Sequence, residues 1–338
     1  MKKGILIIQC IVLAFILIGC SDIKDKRIIT DFRIDIATEA GKEYMKSLST
    51  SSKGEIKAYF LEKVSESANN VVLKYHVVRN KKNNMNIDLD EINLKVTKDE
   101  DEYKVSEASA KNYMQVYVDG ESIRIRNEDT AISDLLIRNK DFPVEVYLQN
   151  KKIALQKETI NIEKFEALAI DSKGNNVGII AKTNGKYLVT LAQVEDSSQA
   201  IGTDDEQGGD TSNDNSGSSL IDESLEEIME KPIAQKLIAY DLISVSKIED
   251  ILFSDDGGYL IVQTTNGKSS TIEIYKNPDG EKLEMNLKEI FPPEDYSVTV
   301  KLINEQGNFI DVRAIGKNKE GEGTYKFEFK SKKIIKEK

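Results

Sequence analysis

The residues able to do chemistry are few. His76 is the only histidine, Cys10 and Cys20 are the only cysteines, and there is no tryptophan in 338 residues. One histidine cannot supply an HExxH site or a His-rich zinc centre. A Ser-His-Asp triad would have to run through His76, and no G-x-S-x-G elbow accompanies it. His76 stands with Lys74 and Val78 on one face of the alternating run Val71–Val78. That pattern reads as a surface or rim histidine on a half-buried strand. Gly267-Lys268-Ser269 matches the end of a phosphate-binding loop, but Val262 stands where the loop needs its first glycine. Asp210, Ser212 and Asp214 have the 1, 3, 5 spacing of a calcium loop. Asn215 then occupies the turn position and Ile221 the position of the bidentate Glu.

Carboxylate pairs can hydrolyse glycosides, but 58 acids single out no pair. The absence of Trp opposes sugar stacking. Tyr113, Tyr117 and Tyr147 are the alternative platforms, and alternating Tyr on strands reads first as packing. The residues therefore assign no catalytic group, no cofactor and no metal ligand. The 58 acids against 47 Lys and Arg give a net charge of −11, which repels nucleic acid backbones. At this length about two domains are expected.

Elements that would carry these residues follow from periodicity. Residues 37–64 have helical spacing, through Ala40, Tyr44, Met45 and Leu48, then Ile56, Tyr59, Phe60 and Val64, with a break over 49–54. The period then falls to two. Strands are predicted at Val71–Val78, Ile92–Val96, Tyr103–Val105, Met114–Val118, Ile123–Arg126, Val144–Leu148 and Ile153–Leu155, with a hairpin turn at Asp119-Gly120. Residues 195–219 hold only Ala200 and Ile201 as apolar residues and read as a disordered acidic Gly/Ser/Asp linker. Helical spacing returns over 220–243, interrupted by Pro232. The fold class expected is α+β and β-rich. N-terminal helices would pack on an antiparallel meander in residues 32–194, and a helix with antiparallel strands would fill 220–338.

An internal similarity crosses the linker. Phe165–Gly174 leads through a strand to Thr183-Asn184-Gly185-Lys186, and Ile248–Gly257 leads through a strand to Thr265-Asn266-Gly267-Lys268. A fainter copy is Val300–Gly307. Both Asn-Gly pairs suit type I′ turns. The units read as ordinary antiparallel meanders. They also resemble the blade unit of β-propellers, with too few copies for a closed ring. The order of elements over about residues 32–110 resembles an NTF2-like or cystatin-like domain.

The N-terminus carries the most specific signal. Lys2 and Lys3 precede an apolar run from Ile5 to Ile18, which ends at Gly19-Cys20. As a helix that run spans about 21 Å, short of a bilayer core of roughly 30 Å, so it reads as a signal peptide. Leu17-Ile18-Gly19-Cys20 resembles the lipobox of bacterial lipoproteins. The resemblance implies cleavage after residue 19, a diacylglyceryl group on the Cys20 thiol, and a tether over 20–31. It implies a location on the outer face of the cell membrane. The weight of Lys, Ile and Asn favours a low-GC Gram-positive source. With Cys20 lipidated and Cys10 removed, no internal disulfide can form. The function this implies is a non-enzymatic binding module of the cell envelope. Its partners would be membrane lipid through Cys20 and an envelope protein, peptide or polymer. The alternatives are a solute-binding lipoprotein of a transporter and a carboxylate-dependent envelope hydrolase.

Cys20→Ser should abolish incorporation of labelled fatty acid and leave the precursor unprocessed. Equal labelling of mutant and wild type would refute the lipobox assignment.

Overall fold

The computed structural model describes residues 35–48, 55–67, 70–80, 85–99, 102–128, 130–148, 156–194, 230–285, 287–304, 307–315 and 319–337. The expected signal peptide, Cys20, the expected tether and linker over 195–219, and the Asp210–Asp214 spacing lie outside them. Strand makes up 67% of the structure and helix 9%. The fold is therefore β-rich, and the α+β class expected from the sequence is corrected.

After a helix over residues 35–48 come four long strands: β1 (Glu55–Ser67), β2 (Asn70–Asn80), β3 (Asn86–Asp99) and β4 (Glu102–Asp119). Then come β5 (Ser122–Asn127), β6 (Asp134–Arg138), β7 (Glu145–Leu148), β8 (Gln156–Thr159), β9 (Ile162–Ile170), β10 (Asn176–Thr183) and β11 (Lys186–Val194). After residue 229 follow β12 (Ala234–Ile243), β13 (Lys247–Phe253), β14 (Tyr259–Asn266) and β15 (Ser269–Lys276). The last are β16 (Tyr296–Asn304), β17 (Gly307–Ala314), β18 (Gly323–Glu328) and β19 (Lys333–Lys336).

The chain divides into two units. The first holds a helix over residues 35–48 and the strand segments 61–67, 70–75, 92–99 and 102–110. The helix buries Ala37, Gly41 and Met45; of the Ala40, Tyr44, Met45 and Leu48 face that periodicity suggested, Met45 is inside and the other three are half-buried. Gly41 lies against Leu73 and Tyr75, where a side chain would collide.

The second unit takes the remaining parts of β1 to β4 and everything after them. Those parts of β1 to β4 lie, with β5, β6 and β16 to β19, within a ten-stranded sheet of order β19-β18-β17-β16-β1-β2-β3-β4-β5-β6. Residues 55–60 form strand, not the helix expected there. The cause is a central position. β1 pairs parallel with β16 through Ala58↔Ile303 and Tyr59↔Asn304, so both of its faces are buried. Ile56, Ala58, Tyr59 and Phe60 are all inside, and apolar residues on both faces erase the two-residue period. A buried hydrogen bond of 3.0 Å from Asn304 Nδ2 to Tyr59 Oη fixes the register.

The internal similarity becomes two separate sheets. One has the order β12-β11-β10-β9 and the other β13-β14-β15. The helix expected over 220–243 is contradicted at residues 234–243, which pair antiparallel with β11 from Tyr187↔Ile243 to Val194↔Ala234. Chain on both sides of residues 195–229 thus enters one sheet. The two Asn-Gly pairs differ. Asn184 and Gly185 have φ of +50° and +74° between the paired Thr183 and Lys186, as a type I′ turn needs. Asn266 instead pairs with Ser269, so Gly267-Lys268 is the loop there.

The β9–β12 sheet is buried on both faces. One face packs Ala167, Ala169, Ile180 and Val189 against Ile251, Leu260, Val262 and Tyr275 of the β13–β15 sheet. The other joins a core with Phe60, Val78, Leu89 and Val116 of the large sheet. Small residues set the first spacing: a Cβ at Gly178 would sit 2.8 Å from Leu260 Cδ1 and 3.1 Å from Ile251 Cδ1. Gly178→Val should cost about 1–3 kcal/mol through overpacking, measured as a lower denaturant midpoint. An unchanged midpoint would mean that the two sheets do not meet this closely.

Candidate functional site

The structure buries the one histidine. His76 lies on β2, and its Nδ1 is 2.6 Å from the carbonyl oxygen of Ser172. A carbonyl only accepts, so Nδ1 carries the proton in that contact. The ring stacks on Tyr113 with centroids 5.3 Å apart. The rim position expected for His76 is corrected, because β2 is an interior strand of the large sheet. Gly267-Lys268-Ser269 is a hairpin loop, and Ser269 Oγ donates to the Tyr296 carbonyl at 2.8 Å. Lys333 and Lys336 lie on β19 at the edge of the large sheet.

The buried charges are paired. Lys57 Nζ of β1 and Asp250 Oδ2 of β13 are 2.8 Å apart. Burial pushes the Asp250 carboxyl up against the opposing pull of Lys57. Glu273 of β15 receives Lys288 at 2.6 Å and Lys282 at 2.9 Å. Burial alone would raise its carboxyl, but the Lys288 hydrogen bond and the Lys282 charge outweigh it and hold the group below its ordinary value. The Tyr275 phenol donates to Asp241 Oδ2 at 2.9 Å, and burial pushes that phenol up. The Lys57–Asp250 and Tyr275–Asp241 pairs link strands, and Glu273 with Lys282 and Lys288 lines an open cavity of about 400 Å³.

A second, more apolar cavity lies at the edge of the β9–β12 sheet. It is a groove of about 290 Å³ between β7 and β12. One wall is Phe142, Pro143, Val146 and Tyr147, and the other is Leu188, Thr190, Leu237 and Ala239. The antiparallel register explains the second wall. Thr190 pairs with Ala239 and Ala192 with Leu237, so these side chains share one face of the sheet. Phe142 is held from below by Phe165, with ring centroids 6.0 Å apart. Thr190 is 1% exposed, and its Oγ1 has no hydrogen-bond partner among the described residues. Beside the groove, Val144 is 69% exposed and Tyr147 54%. Glu145 and Lys236 flank the opening, and Glu145 is paired with Lys157 at 2.7 Å.

The backbone at the groove is also open. Among the described residues β7 pairs only with β8, and β12 is the outermost strand of its sheet. No hydrogen bond joins β7 to β12 among the described residues. Apolar walls and a strand edge left unpaired among the described residues make a binding groove rather than a reaction centre. Of the tyrosines singled out from sequence, Tyr147 lines it. Thr190 and Ala239 carried no sequence signal, because only their register across residues 195–229 brings them together.

Neither a protein-family model nor a curated protein matches the chain. Solved structures with a similar arrangement include TolB from Acinetobacter baumannii, at 9% identity and a TM-score of 0.34, covering 81% of this chain and 67% of that one. The β-propeller domain of the Trilobed protease from Pyrococcus furiosus is similar at 9% identity and a TM-score of 0.27, covering 81% of this chain and 64% of that one. The Cps50 (Swd1) β-propeller domain from Myceliophteria thermophila gives 8% identity and a TM-score of 0.28, covering 76% of this chain and 96% of that one.

The sign of the Glu273 contribution is testable. A carboxyl held low in the fold stabilises above its ordinary value near 4.5, and that stability is lost as pH falls through the lower folded value. Glu273→Gln should therefore be less stable at pH 7 and lose less on acidification. Parallel stability curves for the two proteins from pH 7 to 3 would contradict this.

Proposed function

We propose that this protein is a non-enzymatic binding module of the cell envelope, held at the outer face of the membrane by lipid on Cys20. The address rests on Lys2, Lys3, the apolar run Ile5–Ile18 and Gly19-Cys20. The binding role rests above all on the groove between β7 and β12, with its apolar walls and the exposed Val144 and Tyr147 beside it. A largely apolar cleft of this kind gains by burying an apolar segment of a partner. Net acidity steers the protein away from nucleic acid and leaves a protein, peptide or polymer of the envelope as its partner.

A photoreactive phenylalanine analogue at Tyr147 tests this in intact cells. The full-length protein should form a discrete crosslinked adduct in the membrane fraction, and Ala239→Leu should diminish it by filling the groove. Absence of any adduct, or an adduct indifferent to Ala239→Leu, would contradict the proposal.

A further inference from the structure

We infer that the edge of the large sheet formed by β18 and β19 rests on an anionic phospholipid surface, with its lysines at the headgroups and Ile335 at the lipid interface. The inference extends the membrane-anchored reading to a second contact with the bilayer and makes no use of the groove. The chain carries a net charge of −11, yet residues 323–337 hold five lysines against Glu328 and Glu337. Lys330, Lys332, Lys333 and Lys336 are all exposed. Lys326, Lys332, Lys333 and Lys336 have no ion-pair partner among the described residues; Lys336 Nζ lies 5.6 Å over the Tyr325 ring. Elsewhere strand lysines are neutralised by a neighbouring carboxylate, as Lys95 is by Glu107 and Lys247 by Glu249. Cations left unmatched along one edge of an acidic protein complement an anionic surface and turn that edge toward it.

The register sorts these side chains between two faces. β17 pairs with β18 through Phe309↔Lys326 and Ile310↔Tyr325, and β18 with β19 through Lys326↔Ile335 and Glu328↔Lys333. Directly opposed residues share a face. Ile310, Tyr325 and Phe327 are buried, so theirs is the core face. Lys326, Lys333 and Ile335 project from the opposite face, where Ile335 is 49% exposed. The acids of that face are engaged: Glu328 accepts the Ser331 hydroxyl at 2.7 Å, and Asp311 has Lys301 at 3.4 Å. Lysine on an edge strand also discourages pairing with another chain. Lys330 and Lys332, however, lie in the turn before β19, where there is no strand edge to protect. An exposed isoleucine among lysines suits a lipid interface, since the ammonium groups reach the headgroups while the apolar side chain meets the acyl boundary. A soluble polyanion would gain nothing from Ile335.

Co-sedimentation of the purified full chain with vesicles tests this, using phosphatidylcholine alone and phosphatidylcholine mixed with phosphatidylglycerol. The lipid on Cys20, or the apolar run before it, contributes alike to both vesicles, so the ratio of the two affinities reads the edge. The wild type should favour the anionic vesicles roughly tenfold or more, since each lysine near such a surface is worth about fivefold. Added salt should erase that ratio, a readout that needs no variant. Lys332→Gln, Lys333→Gln and Lys336→Gln combined should bring the ratio to one or below. A matched variant with Lys173→Gln, Lys231→Gln and Lys268→Gln loses the same charge elsewhere and should keep the wild-type ratio. Ile335→Ser should weaken binding to the anionic vesicles. Thermal melts confirm that each variant is folded. A wild-type ratio near one, or an equal loss in the two triple variants, would overturn the inference. So would binding of soluble polyphosphate together with an Ile335→Ser variant that matches the wild type on vesicles, since the partner would then be a polyanion. If Cys20 takes up no fatty acid while the ratio persists and depends on the edge lysines, the anchoring reading falls and the inference stands. If Cys20 is labelled while the ratio is one, the inference falls and the anchoring reading stands.

Discussion

The β9–β12 sheet is closed on both faces, and that constraint governs the rest. One face is pressed against the β13–β15 sheet through Gly178, Leu260 and Ile251. The opposite face is buried in the core shared with the large sheet. A sheet closed in this way keeps its apolar side chains dry, but its outermost strand still presents a row of unpaired amide and carbonyl groups. Here that strand is β12, and β7 flanks it without pairing to it. The groove is the space left where packing stops and backbone pairing has not been completed.

Charge follows the same division. The buried ions are matched across strands, Lys57 with Asp250 and Glu273 with two lysines. Removing one partner of such a pair strands the other in a poor solvent, so the pairs constrain how strands meet more than they add net stability. The groove carries no such pair inside it. Its only buried polar atom without a partner is the Thr190 hydroxyl, among the described residues. This separation of matched ions from an apolar slot suits recognition by shape and hydrogen bonding.

Local signals in the sequence held where the structure is local. Val71–Val78 lies in β2, and Asn184-Gly185 makes the turn its chemistry demands. At Asn266-Gly267 the same dipeptide gave a loop one residue further on, because the cross-strand pairing of Asn266 with Ser269 decided the register. Ile56, Tyr59 and Phe60 imitate a helix because β1 is buried on both faces. Leu237 and Ile238 imitate one because β12 sits at an edge, where burial is uneven along the strand. The groove was legible only through Tyr147. Thr190 and Ala239 lie far apart in sequence and become neighbours by pairing, which no single-sequence periodicity encodes. The Cys20 motif is the opposite case, since every element of the signal is contiguous.

The central claim is that the outer edge of β12 is unpaired and open. Amide hydrogen exchange, resolved by residue in the free protein, measures this directly. Alternate amides among Lys236, Leu237, Ile238 and Ala239 should exchange orders of magnitude faster than those of Leu188–Leu191 in β11. Uniform protection across all four, at the level of β11, would mean that the edge is already covered and that the groove is not a site awaiting a partner.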